Sequence, residues 1–344
     1  MTAVTMPPSS VTAVRGVDQD LPPRTAYRAW LVEHVRDHPE VVCLDSDTGI
    51  FTGVDFGDAA DRYVNVGIAE QNLIAAAAGM AAEGLRPYVH TMAAFAASRA
   101  LEFVKLDVVY NRLPVTVVGT HAGLSAGRLG PTHQALDDLA ALRALPGLTV
   151  LQPAGTSDLR ALLEQAADLP GPVYLRLGRT ATPPLPPAPA PVLGRLAVPA
   201  PDADVLIVAT GPYPVLVAHE AAQGLSRRGV ATCVLDAHTL APFDADELAA
   251  AARSSRLVVT VEEHWPVGGL GSLVAEALCA VAPRRQLTIA VPHRFMTLVA
   301  DQAELLAACG ITPERVVQDV LSALSQLSDR PRADRLAVPS QQDQ

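Results

Sequence analysis

Glu70 opens the run EQNLIAAAAGMAA shortly after the apolar stretch YVNVG, so a carboxylate stands where a strand gives way to a strongly apolar helix. Three more stretches end on polar groups: Asp47 follows VVCLDS, His90 and Thr91 follow RPYV, and His121 follows VTVVGT. Ligands of open α/β sheets gather at the carboxyl ends of strands, where the loop enters the next helix. Four consecutive strand ends thus offer groups to one ligand, among them the carboxylate and imidazole types that carry protons in catalysis. Each residue alone has a plainer explanation. An acidic first turn stabilises a helix by about 0.3–1 kcal/mol, a histidine at a strand end serves as a cap or surface group, and His133 starts a helix candidate. The conjunction points to chemistry.

Such groups need a scaffold that brings strand ends together. VVCLDSD, YVNVG, RPYVHTM, LPVTVVGTHAG, LTVLQP and VYLRLG are short, continuously apolar runs, as expected of parallel strands covered on both faces. Helical segments separate them, and AFAASRALEFVKLDVVYN and THQALDDLAALRALP place apolar residues three and four apart. Residues 180–201, TATPPLPPAPAPVLGRLAVPAP, hold too many prolines for a helix or central strand and read as a semi-extended linker. The alternation resumes with DVLIVATG, VATCVLDAHTL, RLVVTVEEH and LTIAVPH as strands. The expected fold class is α/β with two doubly wound domains: a mostly parallel-sheet domain over 21–179 and a smaller α/β domain over 202–328. Residues 1–20 and 329–344 are polar and aperiodic, and are expected to be disordered tails.

A chain of 344 residues, 49% hydrophobic, is long enough to fill two cores. With 26 Lys and Arg against 36 Asp and Glu, the formal charge of -10 argues against a surface built for nucleic acid or an anionic membrane. Cys43, Cys233, Cys279 and Cys309 are scattered without metal-ligand spacing and read as free thiols in a reducing cytoplasm. The opening MTAVTMPPSSVTAVRG lacks the apolar core of a signal peptide, and no run of about eighteen apolar residues occurs. A soluble cytoplasmic protein is expected.

The segment THAGLSAGRLGPTHQALDDLAALRALPGLTVLQP, together with VGIAEQN, TMAAFAASRA and VYLRLGR, resembles the C-terminal half of transketolase. That half is the pyrimidine-binding domain of a thiamine-diphosphate enzyme followed by the family's C-terminal domain, and the resemblance is collinear over about residues 21–328. It implies that Glu70 is the glutamate that hydrogen-bonds N1′ of the aminopyrimidine, promoting the imino tautomer whose nitrogen removes the thiazolium C2 proton. Phe95 matches the aromatic that stacks on that ring, and Met92 and Ser98 stand where family members often carry aromatics. Asp47 matches an aspartate near the cofactor and subunit interface. His121 and His133 match histidines that face substrate oxygens, while Arg24 and Arg179 match arginines that hold a sugar phosphate.

Two departures stand out. Typical transketolases read GxGEDGPTHQ where this chain reads SAGRLGPTHQ, which puts Arg128 and Leu129 at the Glu–Asp pair. Leucine cannot accept the sugar-hydroxyl hydrogen bond made by that aspartate, so selection among polyols should relax or shift. The chain also lacks the GDG motif that, with Asn-rich ligands, holds the diphosphate through Mg²⁺; VGGLGS at 267–272 is a weak glycine signal without acidic ligands. The resemblance therefore implies half an enzyme, inactive alone. A separate N-terminal transketolase subunit would bring the diphosphate and Mg²⁺ site in an α2β2 heterotetramer, sharing the thiamine diphosphate across the interface. The expected reaction moves a two-carbon ketol unit from a ketose to an aldehyde. Two alternatives remain open: a related enzyme, resembling the 2-oxoacid dehydrogenase β chain or deoxyxylulose-phosphate synthase, passing a two-carbon unit to a lipoyl or carrier-protein arm, and a non-catalytic scaffold subunit.

Overall fold

The computed structural model describes residues 21–181, 184–199 and 202–328, so the expectation of disordered tails falls outside the described residues. Most of the continuous apolar runs form strands buried on both faces, whereas YVN and RQLTI, at the outer edges of their sheets, are only partly buried. β1 (Val41–Asp45), β2 (Tyr63–Asn65), β3 (Arg86–Met92), β4 (Thr116–Thr120), β5 (Thr149–Leu151) and β6 (Val173–Arg176) occupy the first half. β7 (Val205–Thr210), β8 (Thr232–Asp236), β9 (Thr239–Ala241), β10 (Leu257–Glu262) and β11 (Arg285–Ile289) follow in the second. The larger sheet runs β2–β1–β3–β4–β6–β5–β9 and the smaller β11–β10–β7–β8. Every pairing is parallel except β5 with β9. The chain is thus α/β with a mostly parallel larger sheet and a second, smaller one.

Pairing register levels the strand ends that matter. Asp45 is opposite both Asn65 and His90, and Met92 is opposite Thr120. The four strands whose ends carry Asp47, Glu70, Thr91 and His121 are therefore neighbours, in the order β2–β1–β3–β4. The helix Glu70–Ala82 packs through Leu73, Ile74, Ala77, Ala78 and Ala81, a three-four spacing in which alanines permit a close approach to the sheet. The helix Pro23–Asp37 buries Tyr27, Leu31 and Val35 against the other face of β1 and β3.

Three segments differ from their sequence pattern. AFAASRALEFVKLDVVYN does not form one helix but Ala93–Ala96, Leu101–Phe103 and a π-helical turn Val104–Val109. Ser98 Oγ donates to the Ala94 carbonyl at 2.5 Å, and such back-bonding disturbs the regular ladder; Ala100 N instead reaches Phe95 O at 3.0 Å. In THQALDDLAALRALP only Asp138–Arg143 is α-helical. Ala135 exchanges both backbone hydrogen bonds with Gly123 at 3.0 Å, and Gly123 sits at φ 62°, a conformation glycine adopts without penalty. VATCVLDAHTL breaks at Ala237–His238: Ala237 N bonds Ala209 O at 2.8 Å, after which β9 crosses to the larger sheet, where Gln152 N bonds His238 O at 2.9 Å.

The described part of the proline-rich segment, residues 184–199, is pinned to the rest of the chain. Leu185, Leu193 and Leu196 are buried in three different apolar clusters. Its backbone is held by Gln165 Oε1 to Leu193 N at 2.9 Å and Asp244 Oδ2 to Leu196 N at 3.2 Å.

Candidate active site

At the carboxyl end of the larger sheet, a cleft of about 390 Å³ is lined by Asp47, Glu70, Met92, Phe95 and His133, with Ser46, Thr48, Ile68, Thr91, Arg99 and Thr132. The geometry thus brings six of the sequence candidates together, Thr91 among them. Glu70 is the first residue of its helix and 2% exposed, so its charge sits where the helix dipole favours it. Its Oε2 accepts from Arg99 Nη1 at 2.9 Å. The Arg99 guanidinium lies 4.5 Å from the centroid of Phe95, and His133 meets the same ring edge-on at 5.4 Å. Thr91 Oγ1 is buried without a hydrogen-bond partner.

Among the described residues the non-glycine positions with positive φ are Asp47 (61°), Arg112 (55°) and His121 (59°). Two of the three lie at the ends of β1 and β4, and such strained backbone concentrates at functional sites. His121 is 3% exposed and stands beside the cleft rather than in its lining. Burial first, then Arg179, Arg24 and His133, lower its pKa to about 4, so the imidazole is neutral near pH 7. Thr120 Oγ1 donates to Thr91 O at 3.3 Å. That leaves the hydroxyl to accept from His121 Nδ1–H at 3.0 Å, with Nε2 the basic nitrogen. Arg24, lowered by its own burial and then by Arg179 and Arg28, belongs to the same crowd of cations. Asp45 acts on Arg24 in the opposite sense, so the two guanidinium groups near the neutral imidazole are only partly offset by a carboxylate.

Other candidates lie elsewhere. His90 is fully buried, donates from Nδ1 to Leu44 O at 2.7 Å and accepts at Nε2 from Tyr27 Oη at 2.7 Å; burial lowers its pKa to about 4. It is a core histidine, not a ligand group. Arg128 forms a bidentate pair with Asp301 at 3.0 and 3.1 Å, and neither it nor Leu129 lines the cleft. Sequence reasoning missed Arg99, because the helix that carries Phe95 ends at Ala96 and helical spacing does not run on to Arg99.

Behind the cleft, a buried network holds the loop that carries both histidines. Arg176 donates to Asp138 at 2.7 and 3.0 Å, to Ala135 O at 2.9 Å and to Glu263 O at 3.2 Å. Tyr174 Oη donates to Asp138 at 2.8 Å. Burial acts to raise the Asp138 pKa, but Arg176 wins and holds it below the usual carboxylate range. Glu263 accepts from Leu124 N at 2.5 Å and from Gln302 Nε2 at 2.9 and 3.0 Å, which ties the loop to the second sheet.

Comparison with known proteins assigns this arrangement. The family profile described as "Transketolase, pyrimidine binding domain" matches residues 19–184, and "Transketolase, C-terminal domain" matches 194–316. The 6-deoxy-6-sulfo-D-fructose transketolase subunit of Clostridium sp. (strain MSTE9) is 36% identical over 278 residues, covering 76% of this chain and 83% of that protein. The chain belongs to the transketolase family. An apulose-4-phosphate transketolase subunit of Phocaeicola vulgatus is 34% identical, covering 87% of this chain and 96% of the relative. A solved split-gene transketolase, described as an inactive β4 tetramer, is 39% identical with a TM-score of 0.77, covering 88% and 98% of the two chains.

Transketolases are thiamine-diphosphate-dependent transferases, and the cleft suits the cofactor's aminopyrimidine. Phe95 offers an aromatic face, Ile68 and Met92 an apolar rim, and Glu70 and the unpartnered Thr91 hydroxyl buried polar atoms. For Mg²⁺ the described residues do not fit: among them no group of three or more His, Cys, Asp or Glu is placed to hold a metal ion. No described helix is long and apolar enough to cross a membrane.

Proposed function

We propose that this chain is the pyrimidine-binding subunit of a split transketolase, and that the buried Glu70 carboxylate at the edge of a cleft floored by Phe95 is its central feature. A separate subunit with the diphosphate-binding domain supplies the Mg²⁺ and diphosphate site, in an α2β2 heterotetramer. Residues 21–179 act as the pyrimidine-binding domain and 202–328 as the C-terminal domain, joined by 180–201. The free thiols support a cytoplasmic setting.

Thiamine diphosphate, when bound, would supply the electron sink for breaking and making a carbon–carbon bond beside a carbonyl. Glu70 would hold the aminopyrimidine by a hydrogen bond to its ring nitrogen N1′, in a site where scarce water strengthens the bond. Phe95 would stack on the ring, with Met92 beside it, and Asp47 would border the partner subunit. His121, neutral, accepts a hydrogen bond at Nε2 from a substrate hydroxyl, and His133 hydrogen-bonds a neighbouring oxygen. Arg24 and Arg179 bind an anionic end of the ketose. The relatives named for 6-deoxy-6-sulfo-D-fructose and apulose-4-phosphate carry such groups, a sulfonate and a phosphate, in their substrates' names.

Reconstitution tests the proposal. The chain mixed with a transketolase subunit that carries the diphosphate-binding domain, thiamine diphosphate and Mg²⁺ is expected to transfer ketol units from a phosphorylated or sulfonated ketose to an aldehyde. Either chain alone is expected to give none. Full turnover by this chain without the second subunit overturns the split assignment.

A further inference from the structure

One side chain fills both places assigned to the cofactor ring. Arg99 Nη1 lies 2.9 Å from Glu70 Oε2, and its guanidinium carbon lies 4.5 Å from the Phe95 centroid. Glu70 is 2% exposed while Arg99 is 44% exposed, so the pair joins a fixed buried anion to a cation with open access to solvent. A guanidinium is flat, delocalised, weakly hydrated and able to stack on an aromatic face while donating in its own plane to a carboxylate. Those are the properties a hydrogen-bonding aminopyrimidine would present to the same two residues. A carboxylate this buried is costly without a partner, and before any ligand arrives Arg99 supplies one.

We propose that Arg99 is an internal competitor of the cofactor ring: in the free chain it occupies the Glu70 carboxylate and the Phe95 face, and it swings into solvent when the aminopyrimidine enters. The inference rests on the reading of Glu70 and Phe95 as the ring's partners. Its consequence is a gate on cofactor capture. The affinity of the cleft is reduced by the fraction of chains in which Arg99 is seated, so the ring alone binds poorly, and stable loading waits for the additional contacts of the diphosphate-binding subunit. Linkage sets the size of the effect: whatever stability Arg99 gives the free chain is subtracted from cofactor binding.

The test compares wild type, Arg99→Ala, Arg99→Gln, Arg99→Lys, Glu70→Gln and Phe95→Ala, each assembled with the diphosphate-binding subunit and titrated calorimetrically with thiamine diphosphate at saturating Mg²⁺. Melting temperatures are measured in parallel on the free full-length chain and on the loaded complex. Arg99→Ala and Arg99→Gln are expected to bind cofactor about three- to tenfold more tightly than wild type, with Arg99→Lys in between. They are also expected to melt lower than wild type as free chains but level with it as loaded complexes. Unchanged or weaker binding by Arg99→Ala and Arg99→Gln, or an equal loss of melting temperature in free chain and loaded complex, overturns the proposal, since Arg99 would then remain on Glu70 in the holoenzyme. Glu70→Gln and Phe95→Ala separate the two readings. If they bind cofactor like wild type, the assignment of the cleft fails; if they weaken binding while the Arg99 variants fail to tighten it, only the competitor role fails.

Discussion

Replacing Asp138 by alanine probes the network that holds the loop carrying His121 and His133 in place. Asp138 is fully buried and Arg176 is 2% exposed, so truncation strands a guanidinium in the interior. Removing one partner of a buried ion pair costs about 3–5 kcal/mol, and the Tyr174 hydroxyl, which loses its acceptor at 2.8 Å, adds about 1 kcal/mol. The expected loss of about 4–6 kcal/mol is a large part of the 5–15 kcal/mol typical of a folded protein. Urea denaturation measures it, with the slope unchanged if the variant remains two-state. Arg176→Ala is expected to cost a similar amount by stranding the carboxylate. The double variant should cost about as much as either single one, a coupling energy of about 4–6 kcal/mol in magnitude. Because Arg176 also holds the Ala135 carbonyl, each single variant should loosen the His121–His133 loop and weaken cofactor binding. A loss below about 1 kcal/mol in Asp138→Ala, or additive effects in the double variant, refutes the reasoning.

Arg24→Ala and Arg179→Ala are each expected to raise KM for a phosphorylated or sulfonated ketose about tenfold or more, because a charge-assisted hydrogen bond is lost, while KM for an uncharged ketose stays within twofold. Equal effects on both substrates contradict the anion assignment. Burial pushes Glu263 from 4.5 up to about 7, so the folded chain keeps a proton that the unfolded chain releases between those values. This contribution is complete below about pH 4.5 and lost as pH rises through about 7, and at 1.36 kcal/mol per pH unit it amounts to about 3 kcal/mol. The unfolding free energy of wild type minus that of Glu263→Gln should fall by that amount between pH 4.5 and 7.5. The histidines lowered to about 4, His264 and His121 among them, act in the opposite sense on both proteins and cancel in the difference, and a flat difference contradicts the burial argument.

The strands were legible because parallel strands covered on both faces leave an unbroken apolar imprint, as VVCLD and TVVGT do. Once four strands were read in order, the polar residues at their ends marked the cleft, which Asp47, Glu70 and Thr91 line; Met92, Phe95 and His133, which line it too, came from the family resemblance. What escaped depends on contacts distant in sequence or on local competition for carbonyls. His90 has the same sequence signature as His121, and only the Tyr27 and Leu44 contacts, 63 and 46 residues away, make it a core residue. The Arg128–Asp301 pair spans 173 positions. Arg99 follows Ser98, whose hydroxyl competes for a helical carbonyl and breaks the helix phase, so its direction toward Glu70 could not be counted from periodicity. β9 read as the tail of β8 because an apolar run records burial, not the sheet in which a strand is buried.

The most direct measurement is the exchange of the thiamine-diphosphate C2 hydrogen for deuterium, followed by quenched NMR, in the assembled complex of wild type and of Glu70→Gln with cofactor saturating in both. If Glu70 shares the N1′ proton, Glu70→Gln slows the exchange by about 10²-fold or more. Exchange at the wild-type rate from a fully loaded Glu70→Gln complex would contradict the role assigned to this carboxylate.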